Sequence, residues 1–175
     1  SHHLGKTEAA KQFARANINA WMAEPLDAII INASGCGVQV KQYAFMLRDD
    51  PLARDAAHIS SITRDISEFL PELNLPESVH KQPMRVAWHG ACSLQHGQKI
   101  TGKAEALLRK AGLTVLIPRD AHLCCGAAGS YTLLQPEMSD KLAALKAEKL
   151  AELQPDIIAT GNIGCLAQLQ GACPL

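Results

Sequence analysis

The feature that most constrains the fold is a repeated local order: a short apolar run, a tight turn carrying glycine and cysteine, then a helical stretch. Asp27-Ala-Ile-Ile-Ile-Asn32 reads as a buried strand, because its β-branched run is bounded by turn residues. Ala33-Ser34-Gly35-Cys36-Gly37 reads as the following loop, and a helix is expected from about Val38 to Leu47. The second half repeats the order. Arg85-Val-Ala-Trp-His89 reads as a strand and His89-Gly90-Ala91-Cys92 as a loop. A helix is expected over 98–111, with Gly112 as its cap, and a strand over 113–117, stopped by Pro118. Cys124-Cys125-Gly126 lies in the next loop. Pro136 to Leu153 reads as a helix with proline in its first turn, and Asp156 to Thr160 as a strand closed by Gly161-Asn-Ile-Gly-Cys165. In that last helix Met138, Leu142, Leu145 and Leu153 share one expected face. Upstream, Lys6 to Glu24 and the stretch from Asp50 to Leu70 read as helical. Such alternation predicts an α/β fold with parallel sheets flanked by helices, and ligands in these sheets gather at the carboxyl ends of strands.

The strings around Cys36 and Cys165 echo one another: Asp, apolar strand, Asn, Gly-Cys, then helix. We therefore expect two Rossmann-like half-domains related by pseudo-duplication, the first truncated at its N-terminus. The proline-bearing stretch from Pro71 to Pro83 marks the boundary, giving 1–75 and 76–175.

Six cysteines fall in 175 residues: Cys36, Cys92, Cys124, Cys125, Cys165 and Cys173. A chain this long, rich in leucine and alanine and without a visible signal peptide, is not the small secreted type that disulfides staple, so a metal or redox role is the better expectation. Seventeen basic and seventeen acidic residues balance, which gives no basic footprint for nucleic acid. No apolar run reaches the length of a membrane span. These traits together suit a cytoplasmic protein.

Five cysteines follow strands, so on a parallel sheet their sulfurs can converge from distant points in the chain. Cys36 and Cys165 also fall at expected helix starts, where the helix dipole favours thiolate, the metal-binding form. Neighbouring glycines let backbone N–H groups approach a cluster. An adjacent Cys-Cys pair suits one polynuclear centre better than a strained disulfide between neighbours. Neither a ferredoxin run nor a zinc-ribbon pair is present. Cys173 reads as structural, since a lone cysteine is commonly a small buried hydrophobe. His89, His96 and His122 flank the cysteines as candidate ligands or donors, against the commoner reading of hydrogen-bonded structural histidines. Gly5-Lys6-Thr7 lacks the glycine and strand that a phosphate loop needs. Arg48-Asp49-Asp50 and the charges from Lys141 to Lys149 read as solvated helix faces.

The strings His89-Gly-Ala-Cys-Ser-Leu-Gln-His-Gly-Gln98, His122-Leu-Cys-Cys-Gly-Ala-Ala-Gly-Ser-Tyr131, Gln135-Pro-Glu137 and Thr160-Gly-Asn-Ile-Gly-Cys165 together resemble the cysteine-rich (CCG) domain family. Within it they resemble most the C-terminal part of iron–sulfur subunits of the glycolate oxidase type. The resemblance implies that Cys92, Cys124, Cys125 and Cys165 ligate a [4Fe–4S]-type cluster, with Cys36, the last cysteine of a first repeat, as an additional ligand. It implies an electron-transfer subunit, not itself catalytic, which takes electrons from a flavin-containing subunit that oxidises a 2-hydroxy acid such as glycolate. Those electrons pass toward quinone, with peripheral docking at the inner face of the membrane. Ser1-His2-His3-Leu4-Gly5 resembles the residues just after a first Cys-Cys-Gly, which sets native sequence beside a tag remnant as its origin. Position 168 is Gln, so the closing Cys-x-x-Cys of some relatives is absent. Two alternatives stay open: cluster-based thiol–disulfide reduction of the heterodisulfide reductase type, and a zinc-binding structural or docking module.

Overall fold

The computed structural model describes residues 4–76 and 84–173. Ser1 to His3 and much of the expected 71–83 boundary lie outside the described residues. The fold is α/β, with two small parallel sheets flanked by helices.

Helix α1 (Thr7–Trp21) opens the first half, burying Ala10, Ala14 and Ile18 at helical spacing. Strand β1 (Ile29–Ile31) is three isoleucines, whose branched side chains favour the extended backbone. Helices α2 (Ser34–Lys41), α3 (Tyr43–Met46) and α4 (Ala53–Ile62) come next. Strand β2 (Thr63–Asp65) then pairs parallel with β1, Ile29 opposite Thr63 and Ile31 opposite Asp65. The sequence pattern places 62–70 in helix, and the structure corrects it. Thr-Arg-Asp carries no strand signal of its own and extends because β1 offers a ladder. The turn after β2 is fixed by a capping box. Asp65 accepts from Ser67 N at 2.9 Å, while Glu68 accepts from Asp65 N at 3.1 Å, opening the short helix α5 (Ile66–Phe69). Asp65 also accepts from the Ser67 hydroxyl at 2.6 Å. Asp65→Ala should therefore lower stability by about 1–2 kcal/mol, as cap losses do, read as a lower urea midpoint at unchanged slope.

The second half is a three-stranded parallel sheet in the order β4-β3-β5. Strand β3 (Arg85–His89) lies at its centre, between β4 (Thr114–Leu116) and β5 (Ile157–Thr160). The expected helix over 98–111 is shorter. A π-helical turn spans Ser93–Gly97, Lys99 and Gly102 take left-handed backbone, and helix α6 runs only over Lys103–Lys110. Gly112 at φ +88° ends that segment as expected. Helices α7 (Tyr131–Leu134), α8 (Pro136–Ala151) and α9 (Ile163–Ala172) complete the chain. Helix α8 buries Ser139, Ala143, Lys146, Ala147 and Leu150, whereas Met138 and Leu145 are exposed. The buried face is thus rotated from the expected leucine face, because it meets the cysteine loop.

Each half has its own core. Ile18, Tyr43, Leu47 and Ile59 centre the first. Trp88, Leu94, Leu150 and Leu169 centre the second, and Cys125 and Cys165 belong to it. The halves meet through polar groups. Ser34, fully buried, donates its N–H to the Gly161 carbonyl at 3.0 Å, and its hydroxyl lies 2.7 Å from that of Ser93. Asn162 Nδ2 donates to Ser93 Oγ at 2.9 Å and to Ser34 Oγ at 3.2 Å, while Gln98 Nε2 donates to the Ser34 carbonyl at 3.0 Å. Every polar atom named there has a partner, which such burial requires.

Candidate metal centre

The carboxyl edge of the second sheet gathers the chemistry, and each contributor has a local cause. His89 is the last residue of β3, so the strand delivers its ring to the edge, where it is 2% exposed. Cys92 caps the π-helical turn three residues on and is exposed. The loop after β4 carries Cys124 and Cys125. Cys165 lies in the first turn of α9, whose cap is Asn162, with its Oδ1 accepting from Gly164 N at 2.8 Å. These four thiols line one cleft with His89, and the exposed His96 and His122 stand at its rim.

One ring nitrogen of His89 and the sulfurs of Cys125 and Cys165 all lie within 4.8 Å of one another, and all three residues are buried. Neither ring nitrogen of His89 meets a hydrogen-bond partner. That corrects the expectation of a hydrogen-bonded structural histidine, since a buried imidazole left unpaired calls for an explanation. A bound ion supplies one. All six cysteines are free thiols, so no disulfide competes.

The thiols are electrostatically unequal. Cys125 is pulled well below the ordinary thiol range, chiefly by its hydrogen bond with Cys165 and further by His89 and the Ala127 N–H, against the effect of burial. Cys165 is pushed up by the same hydrogen bond and by burial. The two share one proton, so the first ionisation is eased and the second opposed. The helix start at Cys165 was expected to favour thiolate there, and the Cys125 partner outweighs it. Burial pushes Cys124 up, partly offset by the N–H of Gly126, which donates to its sulfur at 3.3 Å.

Helix α8 braces the Cys-Cys-Gly loop at both ends. The Ser139 hydroxyl donates to the Gly126 carbonyl at 3.0 Å, and Gln168 Nε2 donates to Ser139 Oγ at 3.0 Å. Gln168 therefore supports the loop from behind. At the other end the Lys146 ammonium donates to the carbonyls of Asp120 at 3.3 Å and Ala121 at 3.1 Å. The sequence pattern counts Lys146 among solvated charges, yet it is wholly buried. Its register with Ser139, Ala143 and Leu150 was the available signal.

The other expected site residues fall elsewhere. Cys36 sits in the first turn of α2, exposed and outside the cleft. Its helix begins at Ser34, earlier than expected, and meets the segments that carry the centre through the Ser34 contacts to Ser93, Gly161, Asn162 and Gln98. Cys173 packs against the second core, and burial pushes its thiol up.

A three-stranded parallel sheet whose edge converges four thiols defines a cysteine-rich α/β module, and the model of the cysteine-rich domain family (CCG) matches residues 2–41 and 86–170. The chain belongs to that family. It is 38% identical over 175 residues to the "Glycolate oxidase iron-sulfur subunit" of Escherichia coli (strain K12), covering 98% of this chain and 43% of that one. It is 32% identical to the "Probable glycolate oxidase iron-sulfur subunit" of Bacillus subtilis (strain 168), covering 96% and 39%. "Lactate utilization protein A" of Geobacillus thermodenitrificans (strain NG80-2) is 27% identical, over 94% of this chain and 67% of its own length. The chain thus spans about two fifths of the first two relatives.

Proposed function

We propose that this chain is the cluster-bearing region of an iron–sulfur subunit in a flavin-dependent complex that oxidises a 2-hydroxy acid, glycolate foremost. On this reading Cys92, Cys124, Cys125 and Cys165 hold a [4Fe–4S]-type cluster, and the chain passes electrons from the flavin subunit toward quinone. The observation that carries it is a single cleft lined by four thiols from three separate segments, two of which, Cys125 and Cys165, meet the unpaired imidazole of His89. The donor set fits the group: soft thiolates select iron–sulfur centres or zinc. When bound, such a cluster supplies one-electron transfer at a potential set by its surroundings. The residues do the rest. Cys125 and Cys165 give up their shared proton to bind, His89 stands ready as a further ligand or donor, and Trp88 and Leu94 pack beneath the site. The same reading divides the chain into two cysteine-rich repeats near residue 75. It sets the subunit on the cytoplasmic side of a membrane, held by its partners. Among the described residues no helix is long and apolar enough to cross a membrane.

A second reading is zinc, favoured by compactness. The space between the donors is about 10 Å³, room for roughly one water-sized body. A mixed nitrogen–sulfur set suits one tetrahedral ion.

Anaerobic metal and acid-labile sulfide analysis, with the visible spectrum, separates the two. Iron with matching sulfide, in a coloured protein that bleaches on reduction, is expected. Stoichiometric zinc without sulfide in a colourless protein would replace the first reading with the second.

A further inference from the structure

Lys146 is a lysine with no solvent exposure, placed by helix α8 behind the Cys-Cys-Gly loop. A buried cation ordinarily requires an anionic partner. Among the described residues no carboxylate oxygen lies within 4 Å of Lys146. Its ammonium has three N–H groups, and the carbonyls of Asp120 and Ala121 accept from it. Those carbonyls are neutral, so they solvate the charge without cancelling it.

The groups that favour its charged form belong mostly to the site itself. Burial pulls Lys146 below the ordinary lysine range, while the charges of Cys125, Cys124, Asp120 and Cys165 act the other way. Three of those four groups are the thiols of the cleft. A leucine or methionine would fill the same α8 position beside Ala143, Ala147 and Leu150 at lower desolvation cost. The lysine therefore does something that packing does not.

We propose that Lys146 is a potential-setting residue: a desolvated cation, built into α8 and tied to the cysteine loop, that favours the reduced state of the centre held by Cys92, Cys124, Cys125 and Cys165. The proposal rests on the iron–sulfur reading and deepens it. Each turnover step there is a one-electron transfer. With a centre held by those four cysteines, the flavin donor would lose one electron, the centre would gain it and pass it to the next acceptor, and Lys146 would undergo no bond or proton change. The electron adds one negative charge in a low-dielectric site, where a fixed cation acts strongly. Charge and hydrogen bonding around sulfur are the established means by which a protein tunes such a potential.

The test is a redox titration followed by electron paramagnetic resonance on the full subunit, in wild type and in Lys146→Gln and Lys146→Arg, with iron and sulfide measured on each. Gln keeps an N–H donor for the loop carbonyls and removes the charge. Arg keeps the charge. Lys146→Gln should hold wild-type iron and shift its midpoint downward by a tenfold or larger change in the reduction equilibrium, about 59 mV for one electron. Lys146→Arg should stay near wild type. An unchanged midpoint in a fully loaded Lys146→Gln overturns the role of Lys146 and leaves the iron–sulfur reading standing. Loss of iron from both variants makes Lys146 a structural strut and also overturns it. A wild-type subunit that takes up no iron overturns both readings together.

Discussion

Cys125→Ser should all but abolish metal uptake. Cys125 is 2% exposed and belongs to both the buried three-donor group and the second hydrophobic core, so nothing can swing in to replace it. The substitution exchanges a thiol held well below its ordinary range for a hydroxyl that does not ionise at neutral pH. It also takes from Cys165 the partner that shares its proton. Changes behind a metal site already cost about 10–100-fold in affinity, and loss of a central ligand should exceed that. The metal-free protein should lose only about 1–3 kcal/mol, because serine nearly matches cysteine in volume but buries a hydroxyl in the second core. Iron or zinc per chain, set beside the melting temperature of the metal-free protein, separates the two effects. Cys173→Ser, outside the cleft, should retain wild-type metal, and Cys36→Ser should do so too if the cleft is the whole site. Because binding displaces the proton shared by Cys125 and Cys165, uptake should weaken as pH falls. Equal metal content in Cys125→Ser and wild type would remove Cys125 from the site.

The parts of this architecture that could be read from sequence are those whose cause is local. Arg85-Val-Ala-Trp-His89 and the isoleucines of β1 carry their own strand signal, and Gly112 its own cap signal. Each cysteine of the cleft lies in a loop or helix start after a strand, which suffices to predict convergence at one sheet edge. Where the cause is distant, the reading failed. Thr63-Arg-Asp65 becomes a strand only because β1 lies beside it. Ser34, Ser93 and Asn162 look like ordinary turn residues, yet they meet across the two halves over separations of 59 and 128 positions. His89 looks like any strand-end histidine until its ring nitrogens prove unpaired. Lys146 is hidden by its charge, since a lysine on a helix is nearly always solvated. The candidate ligands are legible because their chemistry is local; the residues that hold and tune them are not, because their partners are remote.

Gly126→Ala should cause the largest loss of stability among small substitutions in this loop, and with it loss of metal. Gly126 has φ +87°, left-handed backbone that an L side chain enters with strain. A methyl group built there would overlap the carbonyl oxygen of Ser139 and stand 3.2 Å from Leu142 Cβ. The obstacle is helix backbone, which cannot rotate aside. Strain of about 1–3 kcal/mol adds to overpacking of about 1–3 kcal/mol, for a total of roughly 2–6 kcal/mol. The movement that relieves the clash pulls the Gly126 carbonyl off the Ser139 hydroxyl and breaks the N–H contact to Cys124. Both cysteines of the pair then leave their places. Gly129, three residues on, is the control. Its φ is +62°, but a methyl there meets nothing within 4 Å. Gly129→Ala should cost only the backbone term, roughly 1–2 kcal/mol, and keep its metal. Thermal denaturation and metal content of the two variants test the pair. If they lose equal stability, the close approach of α8 to the Cys-Cys-Gly loop is not what holds the cysteines in register, and the bracing by Ser139 loses its support.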